Sequence, residues 1–118
     1  PPVQERRVGV LGEFGGLGLP VPDHLWWNKR NWGYRNFKDV PSLTAAYQNL
    51  ITKLHPMIGR GLAAAIYTQT TDVEGEVNGL MTYDRAIVKI GAEKLGRPEP
   101  ESNVSSDMKC SCPHPAQW

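Results

Sequence analysis

A short apolar run that ends on a carboxylate among glycines constrains this chain more than any other feature. Residues 8–12 are apolar, Glu13 follows them, and Gly15 and Gly16 lie just beyond. Such a run predicts a buried strand, and the glycines predict a tight turn or a close backbone approach. Glu13 is therefore expected where the strand stops, at the sheet edge where parallel α/β folds place their chemistry. The alternative is a solvated strand-end residue or a cap for the next segment.

Charge and hydropathy exclude several classes of function. The chain has 118 residues and a formal net charge of +1, which argues against a nucleic-acid binder or a polybasic membrane binder. No apolar run approaches the roughly 20 residues of a membrane span. Residues 1–7 are polar and lack the apolar core of a signal peptide. We therefore expect neither nucleic acid nor a membrane as a partner. The compartment stays open, with a periplasmic or secreted location favoured over a cytoplasmic one.

Residues 14–40 form a connection far longer than the usual two to six or so residues between a strand and a helix. Loops of that length are usually functional or disordered, and disordered segments contain few aromatic residues. This loop contains Trp26, Trp27, Trp32, Tyr34 and Phe37. We therefore interpret it as an ordered loop that forms part of a site.

The clearest helix is predicted over residues 43–58. Its apolar residues recur with the spacing of one buried helical face. These residues are Leu43, Ala46, Tyr47, Leu50, Ile51, Leu54 and Ile58. Asp39 or Ser42 can cap the start, and Pro56 is expected to kink or end the helix.

A second apolar segment covers residues 61–68. It is nearly continuous in apolar residues, as expected for a strand that is covered on both faces. Its alanines alone favour a helix, so propensity does not decide between the two.

Residues 68–84 form a second long polar connection, and a final short helix is predicted over about residues 83–95. The residues expected to face inward in this helix are Ala86, Ile87, Ile90 and Leu95. Residues 96–118 have the composition of a linker or tail. Cys110, Cys112 and His114 do not have the spacing of a zinc site, and a Cys-x-Cys disulfide would be strained. We therefore expect no metal site, and no redox compartment follows.

Four segments together resemble the catalytic domain of glycoside hydrolase family 2, and most closely its β-galactosidase-like members. They are residues 12–20 (GEFGGLGLP), 31–35 (NWGYR), 67–74 (YTQTTDVE) and 77–85 (VNGLMTYDR). The first is similar to the nucleophile segment at the end of the seventh barrel strand. In order and spacing the segments cover roughly residues 8–95.

The resemblance implies an α/β fold, namely the C-terminal fragment of a (β/α)8 TIM barrel with about its last two βα units. The resemblance also favours a strand over a helix at residues 61–68. Such a barrel needs about 250 residues, and two parallel strands cannot close one. We therefore expect residues 1–95 to be the C-terminal quarter of a catalytic barrel, with residues 96–118 leading out of it. The missing N-terminal part of the same polypeptide is then an expected partner.

The activity implied by the resemblance is retaining glycoside hydrolysis by double displacement. Retaining enzymes hold two carboxylates about 5 Å apart, one as nucleophile and the other as acid and then base. By its match, Glu13 is the nucleophile, ionised among hydrogen-bond donors. The family's acid/base Glu follows an Asn in an earlier motif, and no Asn-Glu pair occurs here. The chain as given is therefore expected not to hydrolyse glycosides unaided. No cofactor is implied.

Aromatic side chains form platforms for the apolar faces of sugar rings, and Trp26, Trp27, Trp32 and Tyr34 suit that role. The alternative for each is packing of the long loop onto the barrel. The substrate expected is a carbohydrate, with the sugar and linkage left open.

The second strand end departs from the family pattern. Many members carry a Trp four residues before an Asp, but Thr68 occupies that position before Asp72, with Gln69 following. Tyr67 is the nearest residue that could replace the missing platform. This departure bears on galactose specificity more than on the reaction class.

Several loop acids have two readings. Asp72 and Glu74 either contact sugar or satisfy loop amides, whereas Asp84 is expected to do the latter. The predicted substrate-binding residues are Trp26, Trp27, Trp32, Tyr34, Tyr67, Gln69, Asp72 and Glu74.

Two other classes of function were weighed against the glycosidase. Residues 12–18 lack the Gly-Lys-Ser/Thr of a P-loop and the glycine spacing of a dinucleotide fingerprint. A non-catalytic carbohydrate-binding module, or a degenerate remnant, would explain the aromatic loop without a second carboxylate. Such modules are mostly all-β, however, and do not need a carboxylate at a strand end.

Overall fold

A computed structural model describes residues 7–95, and the predicted tail with Cys110, Cys112 and His114 lies outside this range. The described elements are strands β1 (Gly9–Gly15), β2 (Leu17–Gly18), β3 (Arg35–Asn36), helix α1 (Val40–Ile58), strand β4 (Leu62–Thr68) and helix α2 (Ala92–Leu95). None of the helices in this part of the chain is long and apolar enough to cross a membrane.

Strands β1 and β4 pair in parallel, with Gly9 opposite Leu62 and Gly15 opposite Thr68. Helix α1 lies between them in sequence and makes the crossover that a parallel pair requires. The strand expected at residues 61–68 is confirmed in spite of its alanines. Pairing with β1 and packing against α1 outweigh the helical propensity of these residues. A second, very short parallel pair joins β2 to β3.

The first strand is longer than predicted, and Glu13 lies inside it. The expectation that the strand stops at Gly12 is wrong, since β1 continues to Gly15. Between Leu11 and Phe14, β1 carries one residue more than the paired part of β4. This is a β-bulge, which lets pairing resume beyond an irregular position. Glu13 therefore sits at the bulge, two residues before the strand ends.

Helix α1 begins where the sequence places its cap. Asp39 is the N-cap, and its Oδ1 accepts a hydrogen bond of 2.8 Å from the Ser42 amide. Ser42, the other candidate, is not the N-cap, and its hydroxyl donates to the Asp39 carbonyl. Pro56 lies in the last turn, and the helix ends at Ile58. The expected stop near Pro56 is confirmed.

The core covers only one face of the sheet. Leu43 and Tyr47 of α1 pack with Leu17, Leu19 and Ile90, and Tyr67 of β4 packs against this cluster. Side chains that alternate with these along the strands point the other way. There Val10 is 56% exposed and Ile66 is 55% exposed. Within residues 7–95 the sheet also has only two strands, so both of its outer edges lack a partner.

The final helix is much shorter than predicted. Helix α2 covers only Ala92–Leu95, so the expectation of a helix over 83–95 is wrong. The side chains of Thr82 and Asp84 accept hydrogen bonds from backbone amides five and two residues further on. Such bonds compete with the helical ladder and favour a loop. Of the residues expected to face inward, Ile90 is buried, Leu95 is half-buried, and Ala86 and Ile87 are exposed.

We expect the isolated 118-residue chain to unfold in urea over a broad range, because one sheet face and both outer edges lack cover from the described residues 7–95. The slope of the unfolding free energy should fall below the roughly 1 kcal/mol per molar that small proteins show at the low end. Circular dichroism at increasing urea measures it. A single steep transition would show instead that the chain folds cooperatively by itself.

Candidate functional site

The carboxyl ends of β1 and β4 meet at one edge, and the loops that follow them are joined by backbone hydrogen bonds. The Gly16 amide donates to the Thr68 carbonyl at 2.9 Å. Further along, the Leu19 amide donates to the Val77 carbonyl at 2.9 Å. The two long connections therefore form one layer over the strand ends, which we call the loop layer (residues 16–38 and 69–91).

Glu13 lies at this edge and is exposed. The ion pairs formed within residues 7–95 are His24–Asp84 and Asp72–Lys89, and neither includes Glu13. The next residue, Phe14, packs edge-on against Tyr67 with ring centroids 5.4 Å apart. The backbone beside Glu13 is thereby held, while its carboxylate stays accessible.

Two of the predicted aromatic platforms lie directly over the end of β1. Trp32 and Tyr34 form an edge-to-face pair with centroids 5.6 Å apart. Tyr34 packs on Gly16, where a Cβ atom would lie only 2.7 Å from the tyrosine ring, and Gly16 has a φ of 68°. Only glycine tolerates both conditions at once. The Trp32 amide donates to the Gly75 carbonyl at 2.8 Å, which ties this pair to the second loop.

The other two predicted platforms, Trp26 and Trp27, make other contacts. Trp26 packs edge-on against Tyr83 with centroids 5.4 Å apart. A 2.7 Å bond between His24 Nδ1 and Asp84 Oδ2 joins the same two loops beside it. Trp27 lies against Gly75 and is about half exposed. Trp27 and Trp32 thus both contact Gly75, whereas Trp26 packs on Tyr83.

Tyr67, the expected replacement for the missing tryptophan, faces α1. Its ring packs between Phe14 and Tyr47, with the Tyr47 centroid 5.3 Å away. Burial raises the pKa of Tyr67 to about 12, with Tyr47 adding to the shift and the Leu17 amide opposing it. This packing is that of a core residue. Its role in sugar binding stays a prediction.

Gln69 ends a chain of side-chain hydrogen bonds that begins at Glu76. Glu76 Oε1 accepts from Asn78 Nδ2 at 3.0 Å, and Asn78 Oδ1 accepts from Gln69 Nε2 at 2.8 Å. The backbone is fixed as well, because the Leu80 amide donates to the Gln69 carbonyl at 3.0 Å. Asn78 is fully buried, whereas Gln69 and Glu76 are partly exposed. Gln69 is thus a held polar group at the end of β4.

Asp72 forms a buried ion pair with Lys89. Lys89 Nζ lies 2.7 Å from Asp72 Oδ1 and 2.9 Å from the Val77 carbonyl, and the Gly79 amide donates to the same carboxylate oxygen. Burial raises the pKa of Asp72 and lowers that of Lys89, and the hydrogen bond between them opposes both shifts. Asp72 therefore satisfies a loop amide. A contact from Asp72 to sugar stays a prediction, and Oδ2 is buried without a partner among the described residues.

Glu74 lies exposed at the tip of a tight turn. Val73 and Glu76 exchange both backbone hydrogen bonds across Glu74 and Gly75, at 2.9 and 3.0 Å. The φ of Glu74 is 51°. Its carboxylate is thus exposed at the surface of the loop layer, and its predicted contact with substrate stays untested. Asp84, by contrast, accepts from the Ala86 amide, so its expected role with loop amides is confirmed.

The sequence alone did not identify Lys89 or the side-chain role of Asn78. Lys89 falls in the segment that was predicted to be a helix, and it was not among the residues expected to face inward. In the structure it is nevertheless buried, at 1% exposed. The signal was a single lysine within the apolar run at residues 87–90. A lysine so placed needs a buried acid as partner. Asn78 carried no comparable signal, because its role depends on Glu76 and Gln69 lying on either side of it.

Within the described range, no group of three or more His, Cys, Asp or Glu side chains is arranged to hold a metal ion. No protein-family model and no curated protein matches this chain.

Removing one partner of the buried ion pair should destabilise the loop layer strongly. Lys89→Met leaves the Asp72 carboxylate buried without its cation, which typically costs about 3–5 kcal/mol. Adding Asp72→Asn should recover part of this loss. Hydrogen exchange at the Gly79 amide in the polypeptide that carries the chain measures both. The control is Lys94→Met, an exposed lysine of α2. Equal costs for Lys89→Met and Lys94→Met would contradict a structural role for the pair.

The hydrogen bonds to Asp84 predict acid sensitivity. The Thr82 hydroxyl, then His24 and the Ala86 amide, lower the pKa of Asp84 to about 2 from its ordinary 3.8. An acid whose pKa is lower in the folded protein than in the unfolded chain stabilises the fold at pH values above its unfolded-state pKa. This stabilisation is lost as the pH falls through its folded-state pKa. Protection of the Ala86 amide should therefore fall between about pH 4 and pH 2. Asp84→Asn should remove that dependence, and Asp23→Asn on the exposed loop should keep it.

Proposed function

We propose that this chain belongs to the catalytic domain of a retaining glycoside hydrolase acting on β-glycosidic bonds, with Glu13 as its nucleophile. The observation that carries the proposal is the position of Glu13. It is an accessible carboxylate near the carboxyl end of a parallel strand, under a loop layer that brings Trp32 and Tyr34 to the same edge. The carboxyl ends of parallel strands are where α/β enzymes place their reacting groups.

The proposed reaction has two displacements. In the first, a Glu13 oxygen attacks the anomeric carbon while the bond to the leaving oxygen breaks, and an acid gives that oxygen a proton. In the second, the same group, now a base, takes a proton from water, which attacks the anomeric carbon and releases Glu13. Each inversion reverses the other, so the anomeric configuration is retained.

We expect the acid/base to come from outside residues 7–95, because the Asn-Glu pair of the family does not occur in this sequence. Of the described acids, Asp72 and Asp84 are engaged by Lys89, Thr82 and His24. The exposed sheet face with Val10 and Ile66 and the free edges of β1 and β4 suit further parallel strands. We infer a (β/α)8 barrel completed by the rest of the same polypeptide, with residues 1–95 as its C-terminal quarter.

The aromatic pair at Gly16 is the proposed sugar platform. Tyr34 is 72% exposed and Trp32 is 46% exposed, so both keep ring surface free for a ligand. The Trp26 and Trp27 rings, which are also about half exposed, would contact further parts of a substrate.

Glu13→Ala in the polypeptide that carries the chain should abolish turnover of aryl β-glycosides, since no covalent intermediate can form. We expect a loss of at least about 1,000-fold in kcat with sugar binding retained. Azide can enter the space left by the carboxylate and attack the same face, so it should restore product release and yield an α-glycosyl azide. Spectrophotometric release of the aryl group and NMR of the azide product measure these outcomes.

The control for this substitution is Glu93→Ala, which removes an exposed carboxylate of α2 and should leave kcat unchanged. If the unaltered polypeptide binds sugars but releases no aryl group, the proposal fails and a non-catalytic carbohydrate-binding role takes its place. If Glu13→Ala retains full turnover, a different residue is the nucleophile.

A further inference from the structure

The hydrogen-bonded chain from Glu76 through Asn78 to Gln69 has a fixed direction. A carboxylate can only accept hydrogen bonds, so the Asn78 atom 3.0 Å from Glu76 Oε1 must be the amide nitrogen. The other end of the Asn78 amide is then its carbonyl oxygen. That oxygen accepts from Gln69 at 2.8 Å, so Gln69 must present its nitrogen inward.

This contact determines which atom of the Gln69 side-chain amide is left for another partner. With Nε2 committed to Asn78, its carbonyl oxygen Oε1 is directed away from this contact. Within residues 7–95 Oε1 receives no hydrogen bond, and it is not among the buried unpartnered atoms. It is therefore an acceptor that has no partner among the described residues and is not fully buried, and its orientation is set by a buried asparagine and, behind it, by an acid.

Gln69 also lies at the edge that carries Glu13. It follows Thr68, which is opposite Gly15 in the strand pair. Along the strand pair, Gln69 therefore lies three residues beyond Glu13, which corresponds to about 10 Å, and neighbouring strands are about 4.8 Å apart. One sugar ring together with the side chains that contact it can span this separation.

We propose that Gln69 is a specificity-determining residue that accepts a hydrogen bond from one hydroxyl of the sugar, and that Asn78 and Glu76 are positioning residues that fix this polarity. The inference rests on the proposed function, and it identifies a sugar hydroxyl as the group that Gln69 recognises. The ligand must offer an O–H donor to Gln69, so an analogue that lacks the hydroxyl, or carries fluorine there, is rejected. A site built around such a bond leaves its polar group unpaired when the hydroxyl is absent.

The test compares kcat/KM for the aryl β-glycoside that the polypeptide hydrolyses fastest with its set of monodeoxy and deoxyfluoro analogues. For the unaltered protein, one position should show a loss of about 10- to 100-fold. Gln69→Leu removes the acceptor, so the parent substrate should lose a similar factor while the analogue at that position stays nearly unchanged. Losses at the other positions should be the same in both proteins.

The positioning role is tested by Glu76→Gln, which keeps the side-chain shape but can donate as well as accept. The Asn78 amide can then reverse, and Gln69 can turn its N–H groups outward. We expect the rejection of the deoxyfluoro analogue to weaken at that one position, since fluorine accepts but does not donate. A merely structural role would lower all rates together and leave this ratio unchanged. Glu93→Gln makes the same chemical change on α2 and should leave every ratio as it was.

The two hypotheses fail in different ways. If no aryl β-glycoside is hydrolysed, the glycosidase proposal fails and this inference fails with it. If turnover is present but Gln69→Leu and Glu76→Gln change no analogue ratio, only the inference is overturned. If Gln69→Leu does not fold, the Glu76→Gln ratios alone decide the result.

Discussion

The buried Asp72–Lys89 ion pair determines how the loops over the strand ends are arranged. Lys89 Nζ also donates to the Val77 carbonyl, which accepts the Leu19 amide as well. The Val77 amide in turn donates to the Trp32 carbonyl at 2.8 Å. One buried lysine thus joins the loop that follows β4 to two points of the loop that follows β1. Because separating the pair would leave a charge without a partner, the loops have one favourable arrangement.

Rigid loops matter because the candidate site lies at the end of only two strands. Tyr34 packs on Gly16, and Trp32, which packs on Tyr34, is held by backbone hydrogen bonds to Gly75 and Val77. A binding platform on a mobile loop would lose affinity to the entropy of ordering. The ion pair, the Glu76–Asn78–Gln69 chain and the His24–Asp84 contact each remove part of that freedom, and they do so with polar groups rather than a large apolar core.

The sequence was informative wherever a single local rule dominated. Helix α1 follows from its apolar spacing and its Asp39 cap, and the ordered aromatic loop follows from its composition. The strand at β4 could not be decided from its alanines, because pairing with β1 determines it. The predicted helix at 83–95 failed because Thr82 and Asp84 bond to backbone amides, and the site partners Lys89 and Asn78 depend on contacts between residues far apart in sequence. The bulge at Glu13 has the same origin, since register is a property of two strands.

The two faces of the β1–β4 sheet are covered to different extents. Among the described residues, the α1 face of the sheet is packed, whereas the face with Val10 and Ile66 is exposed and the outer edges carry no further strand. A remnant that had adapted to exist alone should have replaced these apolar residues with polar ones and blunted its edges. The exposed apolar side chains instead agree with the proposal that further strands of a barrel cover this sheet face. In the proposed barrel, Glu13 as nucleophile would have neighbouring strands from which an acid/base could reach the same sugar, and this is the arrangement that double displacement requires.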